Sequence, residues 1–246
     1  MKPKALVLIL AVLLSGCAGD EGGSDASYGD GEDGGIGRPQ CDRRILEDDV
    51  TNAREIGAHA LSVGGYVNCG KIMRGGQLAN LSVDGCQEFS DLGFETVIDL
   101  RMESERTQYS NPACVTDQAA VIEATLPRLD PSADNYVALL GETATVAAVF
   151  AALGESGSYP VYIHCMIGRD RVSTMTALVL MALGASDQTV VDEFDLNNDA
   201  DVSVDTDYIQ AVIDEVKARG GIEAYLTSIG VTTAQLDVLR TEAILD

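Results

Sequence analysis

With 246 residues, 46% of them hydrophobic, the chain is long enough for one domain of about 150–250 residues with a proper core. Its formal charge is −23, from 39 Asp and Glu against 16 Lys and Arg. That balance excludes nucleic acid as a general partner, because phosphate backbones require a Lys/Arg footprint. It favours solubility and decides nothing about fold.

The chain opens with Lys2 and Lys4, then an apolar stretch from Ala5 to Leu14 that is too short to span a bilayer. We expect residues 1–16 to be a signal peptide. The stretch ends in "LLSGC", which resembles the bacterial lipobox and implies cleavage before Cys17 and lipidation of Cys17. Ala18, where sorting rules of enteric bacteria would need Asp for inner-membrane retention, favours the outer membrane. The expected location is the cell envelope, on a lipid anchor. Residues 17–40 are rich in Gly, Asp, Glu and Ser and bury too little apolar surface to offset ordering entropy. They read as an acidic tether with a span of about 25 Å, leaving 41–246 as the folded domain.

Six cysteines follow this logic. Setting aside Cys17 and Cys165, four remain: Cys41, Cys69, Cys86 and Cys114. An even number in an exported chain suggests two disulfides, with three connectivities open.

Along the folded part, Ser82 caps a predicted helix from Val83 to Leu92 that Gly93 closes. "TVIDL" (96–100), "AVIEATL" (120–126) and "PVYIHC" (160–165) read as strands. Residues 136–153 and Arg169–Leu183 read as helices, the second ended by Gly184. The remainder reads as wholly helical: Gln188–Phe194, Tyr208–Arg219, a turn around Ile222–Ile229, and Thr233–Ile244 behind a Thr232/Gln235 capping box. Strands alternating with helices predict an α/β domain with a largely parallel sheet, the helix-rich end covering one face.

Chemistry concentrates in "HCMIGRDR", residues 164–171. A loop between a strand and a helix N-terminus turns backbone N–H groups toward an anion, and the helix dipole adds to that field. Such a field lowers the pKa of a thiol at its centre, making Cys165 a nucleophile beneath a phosphate bound by residues Met166, Ile167, Gly168, Arg169, Asp170 and Arg171. Arg171 would clamp the phosphate with a two-pronged guanidinium. Gly168 permits the tight loop, and His164 would orient it and support the thiolate.

The same residues resemble the HCxxGKDRTG signature of bacterial tyrosine phosphatases of the atypical, lipid-active type, exemplified by mycobacterial phosphatase B. "NAREIGA" (52–58) is similar to the family's N-x-R-D segment. "IMRGGQLANLS" (72–82) is similar to R-S-x-x-L-x-x-L, and "LGFETVIDLRMESER" (92–106) to L-G-I-x-x-V-x-D-L-R-x-x-x-E. "YLTSIGVTTAQLDVLR" (225–240) is similar to the family's tail. In order, these blocks cover residues 50–242. The resemblance implies a cysteine-phosphatase fold and hydrolysis of phosphomonoesters through a cysteinyl-phosphate: phosphotyrosine, phosphoserine/threonine or phosphoinositide. It requires no cofactor and no metal. The general acid follows an L-P-x-x-D stretch in that family, which places it at Asp130 in "TLPRLDP"; Asp170 is the other candidate. The implied partners are a phosphorylated protein or phospholipid, and the membrane through the anchor. Oligomeric state stays open.

Two positions depart from the signature. Arg169 replaces its Lys, keeping charge but changing shape. Val172 and Ser173 replace its Thr-Gly. The missing hydroxyl would stabilise the departing thiolate, so turnover is expected to be slow unless Ser173 substitutes. A binding module that captures phosphorylated ligands is therefore the alternative; a rhodanese-like sulfur carrier fits the spacing less well. "DLNNDADVSVD" (195–205) lacks the ordered spacing and closing Glu of an EF-hand and reads as a solvated linker. His59 has no partner motif.

Overall fold

The computed structural model describes residues 39–41, 44–128, 130–199 and 204–245. The expected signal peptide, Cys17 and nearly all of the tether lie outside them. Among the described residues no single helix is long and apolar enough to cross a membrane.

A five-stranded sheet forms the centre. Its strands are β1 (Arg54–Glu55), β3 (Ile72–Gly75), β4 (Thr96–Asp99), β5 (Ala120–Glu123) and β6 (Val161–His164). Their order is β1-β3-β6-β4-β5, parallel except for the edge strand β1. Registers align Gly75, His164, Asp99 and Glu123 across the four parallel strands. The loops that follow these residues therefore gather at one edge, the carboxyl end of the strands, where open α/β sheets place their ligands. A two-stranded ribbon joins β2 (Tyr66–Val67) to β7 (Ile244–Leu245).

Side-chain alternation sends β6 both ways: Val161 and Ile163 enter one core, Tyr162 the other. The smaller core, on the Tyr162 side, is closed by α1 (Val83–Leu92) and α3 (Ala113–Thr116), with Phe89, Phe94 and Tyr162 in contact. The short α2 (Glu103–Gln108) follows β4. The larger core gathers α4 (Ala133–Ala138), α5 (Thr143–Leu153), α6 (Asp170–Leu183), α7 (Asp187–Asp195), α8 (Asp207–Ala218), α9 (Ile222–Ser228) and α10 (Thr233–Ala243). The helix-rich end thus covers one face, as the pattern predicts.

Ser82 accepts from Gly85 N, and Gly93 closes α1 in the left-handed region at φ 64°. The Thr232/Gln235 capping box forms. The single helix predicted over 136–153 does not. It breaks at a 3-10 turn, Leu139–Gly141, with its arms at 72°. Glu142 leaves helical geometry, and the Leu140 carbonyl accepts from the Tyr225 hydroxyl at 2.9 Å. The end of the chain is also not wholly helical, since β7 pairs with β2. Of the segment 195–205, expected to be a solvated linker, residues 200–203 lie outside the described ones; its first part is not a linker, since Asn197 is buried and hydrogen-bonded and Leu196–Asp199 forms a 3-10 turn.

Disulfides join Cys41 to Cys69 and Cys86 to Cys114, each across 28 residues. That selects one of the three connectivities. Loops of this length are worth about 3–4 kcal/mol each on the loop-entropy model. The second bridge ties α1 to α3. Cys165 is a free thiol.

Candidate active site

Cys165 follows β6, the central strand, and lies 2% exposed at a cavity of about 210 Å³. The loop after it is pinned from outside. Met166 O accepts from Gln77 N at 3.2 Å, and Ile167 O from Asn52 Nδ2 at 3.3 Å. Neither partner lines the cavity, so these carbonyls are turned away from it. Asn52 itself adopts φ 56°, a conformation Asn tolerates. Gly168 has φ 71°, and a Cβ there would stand 2.6 Å from Gly76 N. No other residue fits so tight a loop. Arg169 caps α6, and Asp170 begins it.

Arg171, in the first turn of α6, meets Glu105 of α2 in a two-pronged ion pair, with Nη1 at 2.6 Å and Nη2 at 2.9 Å from its carboxylate oxygens. Nη1 also donates to Leu126 O at 3.4 Å. A guanidinium has five N–H groups. These bonds leave Nε–H and one Nη2–H, a parallel pair along one edge that suits a phosphate. Glu105 is fixed in turn by Met102 N at 2.8 Å. Burial would raise the Glu105 carboxyl, but its bonds to Arg171 and Met102 outweigh this and hold it below the usual range. The sequence pattern contained Glu105 as the last letter of D-L-R-x-x-x-E, yet nothing in that pattern gave it a role.

Asp130 is exposed at the cavity on the loop after β5, beside Arg128, Pro127 and Pro131. Its carbonyl accepts from Asn135 Nδ2 at 2.7 Å. Asp170 is placed differently. Its Oδ1 accepts from the Tyr136 hydroxyl at 2.7 Å and from Arg169 Nε at 3.0 Å; its Oδ2 accepts from Arg169 Nη2 at 3.3 Å. The two candidate acids thus share one cavity, one open and one tied down.

His164 is fully buried, with Nδ1 3.1 Å from the Cys165 carbonyl, which can only accept. Burial pushes the imidazole down to about 4, with Asp99 opposing, so the ring is neutral at ordinary pH. Its Nε2 stands 3.7 Å from Asp99 Oδ2, beyond hydrogen-bond range. His164 thus holds the loop backbone. Ser173, expected to stand in beside the thiolate, is held elsewhere. Its Oγ accepts from Arg74 Nη2 and from Asn197 Nδ2, the latter at 3.1 Å, on the side of α6 facing β3. Val172 is fully buried in the same core as Cys165. His59, without a partner motif in the sequence, bonds Glu193 Oε2 at 2.9 Å.

Several solved structures are similar in part. The core catalytic domain of the PP-IP phosphatase SIW14 from S. cerevisiae aligns at 12% identity and a TM-score of 0.43, covering 70% of this chain and 94% of that one. PTPMT1 in complex with PI(5)P aligns at 18% and 0.40, covering 62% and 96%. P. aeruginosa TpbA aligns at 16% and 0.38, covering 67% and 89%. No curated protein matches the sequence. The model of the tyrosine phosphatase family matches residues 46–244, which contain the whole Cys165–Arg171 loop, and the chain belongs to that family of cysteine-dependent phosphatases.

Proposed function

We propose that the protein is an exported, lipid-anchored phosphatase of the atypical type, which hydrolyses phosphomonoesters through a cysteinyl-phosphate, with phosphotyrosine as its first substrate class. The observation that carries this is Cys165 at the cavity beneath an Arg171 whose outer fork is locked by Glu105 and whose inner edge is open. The walls include Pro127, Pro131, Leu139 and Tyr136, apolar surfaces that suit an aryl ring. Phosphoserine, phosphothreonine and phosphoinositide esters fit the same chemistry.

In the first step Cys165 Sγ attacks phosphorus, the phosphorus–oxygen bond to the alcohol breaks, and Asp130 gives its proton to the departing oxygen. Arg171 binds two phosphate oxygens through both stages. In the second step Asp130 takes a proton from water, which attacks phosphorus and releases phosphate and thiolate. Asp130 suits acid work because its carboxyl is open to the cavity. Asp170, accepting three hydrogen bonds, instead braces the loop between Tyr136 and Arg169. Residues 1–16 would be the signal peptide and Cys17 the anchor point. Two disulfides in the folded part agree with export to an oxidising compartment.

Capture of phosphorylated ligands without turnover is the second reading, favoured by buried Val172 in place of a hydroxyl. A chromogenic aryl phosphate assayed with the mature chain and with Cys165→Ser separates the two. Hydrolysis abolished by the substitution supports the enzyme. Equal rates, or tight ligand binding without hydrolysis in the parent, overturn it. A panel of phosphopeptides and phospholipid vesicles then ranks the substrates.

A further inference from the structure

Behind the phosphate loop, on the side of α6 away from the cavity, lies a second polar cluster. Arg74, on β3 and 1% exposed, donates to Ser173 Oγ and to Asn197 Oδ1, the latter at 2.9 Å. Arg54, 7% exposed, donates to Glu193 Oε1 at 2.6 Å and to the Glu193 carbonyl at 2.9 Å. His59 meets the other oxygen of Glu193. Arg54 and His59 thus both bond the Glu193 carboxylate, while Arg74 bonds the neutral side chains of Ser173 and Asn197. Arg74 makes no ion pair among the described residues, and burying an uncompensated charge is expensive. The Arg74 Nε–H has no partner among the described residues.

Where is the balancing charge? On the cavity side the charged groups pair off: Arg171 with Glu105, Arg169 with Asp170, and Arg128 beside Asp130. None of these is left to balance the cluster behind. Asp99, beside His164, is paired with Arg101, and the other titratable groups near the loop include His164, Tyr162 and Tyr136. His164 is neutral at ordinary pH, and burial pushes both phenols up. Cys165 can carry the balancing negative charge. It follows β6, which pairs with β3 so that Arg74 lies opposite Ile163, and Cys165 N donates to Gly75 O at 3.3 Å.

We propose that Arg74 is a positioning residue for the reaction: a buried cation that balances negative charge on Cys165 Sγ from behind the loop, while its hydrogen bonds to Ser173 and Asn197 fix the first turns of α6. Burial lowers the Arg74 guanidinium, Arg54 lowers it further, and Glu193 and Cys165 pull the other way, consistent with mutual attraction between Arg74 and the thiolate. In a loop whose signature hydroxyl is replaced by Val172, charge from behind supplies part of what a hydrogen bond would supply in front. This rests on Cys165 being the nucleophile, so its test reads the thiol itself and not turnover.

The experiment follows alkylation of Cys165 by iodoacetamide against pH, detected by mass spectrometry on the intact, disulfide-bonded protein. In Arg74→Met the midpoint should move up by about one pH unit or more, and Arg74→Lys, which keeps the charge, should restore most of the shift. Glu193→Gln, of the same shape and still able to accept from Arg54, should move the midpoint down, because it removes a negative charge that competes for Arg74. This second variant decides the matter if Arg74→Met does not fold. A midpoint unchanged in folded Arg74→Met, or unchanged in Glu193→Gln, overturns the proposal. A purely structural role for Arg74 would alter melting without moving either midpoint. Hydrolysis assayed in parallel keeps the outcomes separate: shifted midpoints in a protein that cannot hydrolyse any ester would sustain Arg74 and refute the phosphatase reading.

Discussion

Val172→Thr restores the hydroxyl that the loop lacks, and the structure sets the size of the effect. Val172 is fully buried, in the same larger core as Cys165, so the new hydroxyl would not be wetted by solvent. Ser173 is placed for other work: its Oγ accepts from Arg74 and Asn197, on the side of α6 facing β3. A hydrogen bond to a charged group is worth about 1.5–3 kcal/mol, which is about tenfold to a hundredfold in rate. If thiolate departure limits turnover, rapid mixing of the parent with a chromogenic ester should give a burst of alcohol approaching one per enzyme, then a slower steady rate. Val172→Thr should raise the steady rate within that range and shrink the burst. The same hydroxyl has a thermodynamic signature. Without a partner it costs about 1–3 kcal/mol, a fall in Tm of roughly 2–12 °C for a domain of this size. The fall should be smaller with Cys165 present than in a Cys165→Ala background. A linear parent trace, together with an unchanged steady rate in Val172→Thr, would refute the reasoning.

Three further substitutions test the cavity. Glu105→Gln removes the charge that locks Arg171, and kcat/KM should drop about tenfold or more. Its stability effect has a definite sign. The folded-state pKa of Glu105 is depressed, so its contribution is present above the unfolded value and lost as pH falls through the folded one. The parent should therefore lose its Tm advantage over Glu105→Gln on acidification, and a constant difference would remove the pair's electrostatic role. Asp130→Asn should lower kcat/KM by about a hundredfold to ten-thousandfold for phenyl phosphate, and much less for nitrophenyl phosphate, whose alcohol needs no proton. If Asp170→Asn shows that leaving-group dependence and Asp130→Asn does not, the acid has been misassigned.

What the sequence exposed depended on how local the cause was. The predicted α1, with its cap at Ser82 and stop at Gly93, formed as read, because cap and stop are local backbone chemistry. The central strands showed as β-branched runs. β1, β2 and β7 did not show, because two residues carry no periodicity and their pairing comes from chain remote in sequence. β3 was hidden by Arg74, a charge that sequence logic places outside. The break after Ala138 leaves the Leu140 carbonyl to the hydroxyl of Tyr225, eighty-five residues away. In the site, Cys165, Gly168 and Arg171 were legible because one loop contains them. Glu105 was not, since its role exists only once α2 is brought against α6.

The buried arginine on β3 and the missing hydroxyl on α6 bear on one another. A hydrogen bond to the thiolate acts at contact and depends on angle. A buried charge acts through space and tolerates small displacements of the loop. An enzyme relying on the second should be less sensitive to the rotamer of the residue after Arg171, which makes an apolar Val172 acceptable there. It should be more sensitive to whatever neutralises the cluster behind. Ser173 then has a different purpose from the one its position suggests. It is two residues past Arg171, yet its oxygen is one of the two acceptors that anchor Arg74, Asn197 being the other. Ser173→Ala should therefore act like a weakened Arg74 and not like a lost hydroxyl. The alkylation midpoint of Cys165 should shift in the same direction as in Arg74→Met, by less, because the charge stays while one of its anchors goes. A fall in steady turnover with the midpoint unchanged would instead place the Ser173 hydroxyl at the thiolate and dissolve the link between the two sites.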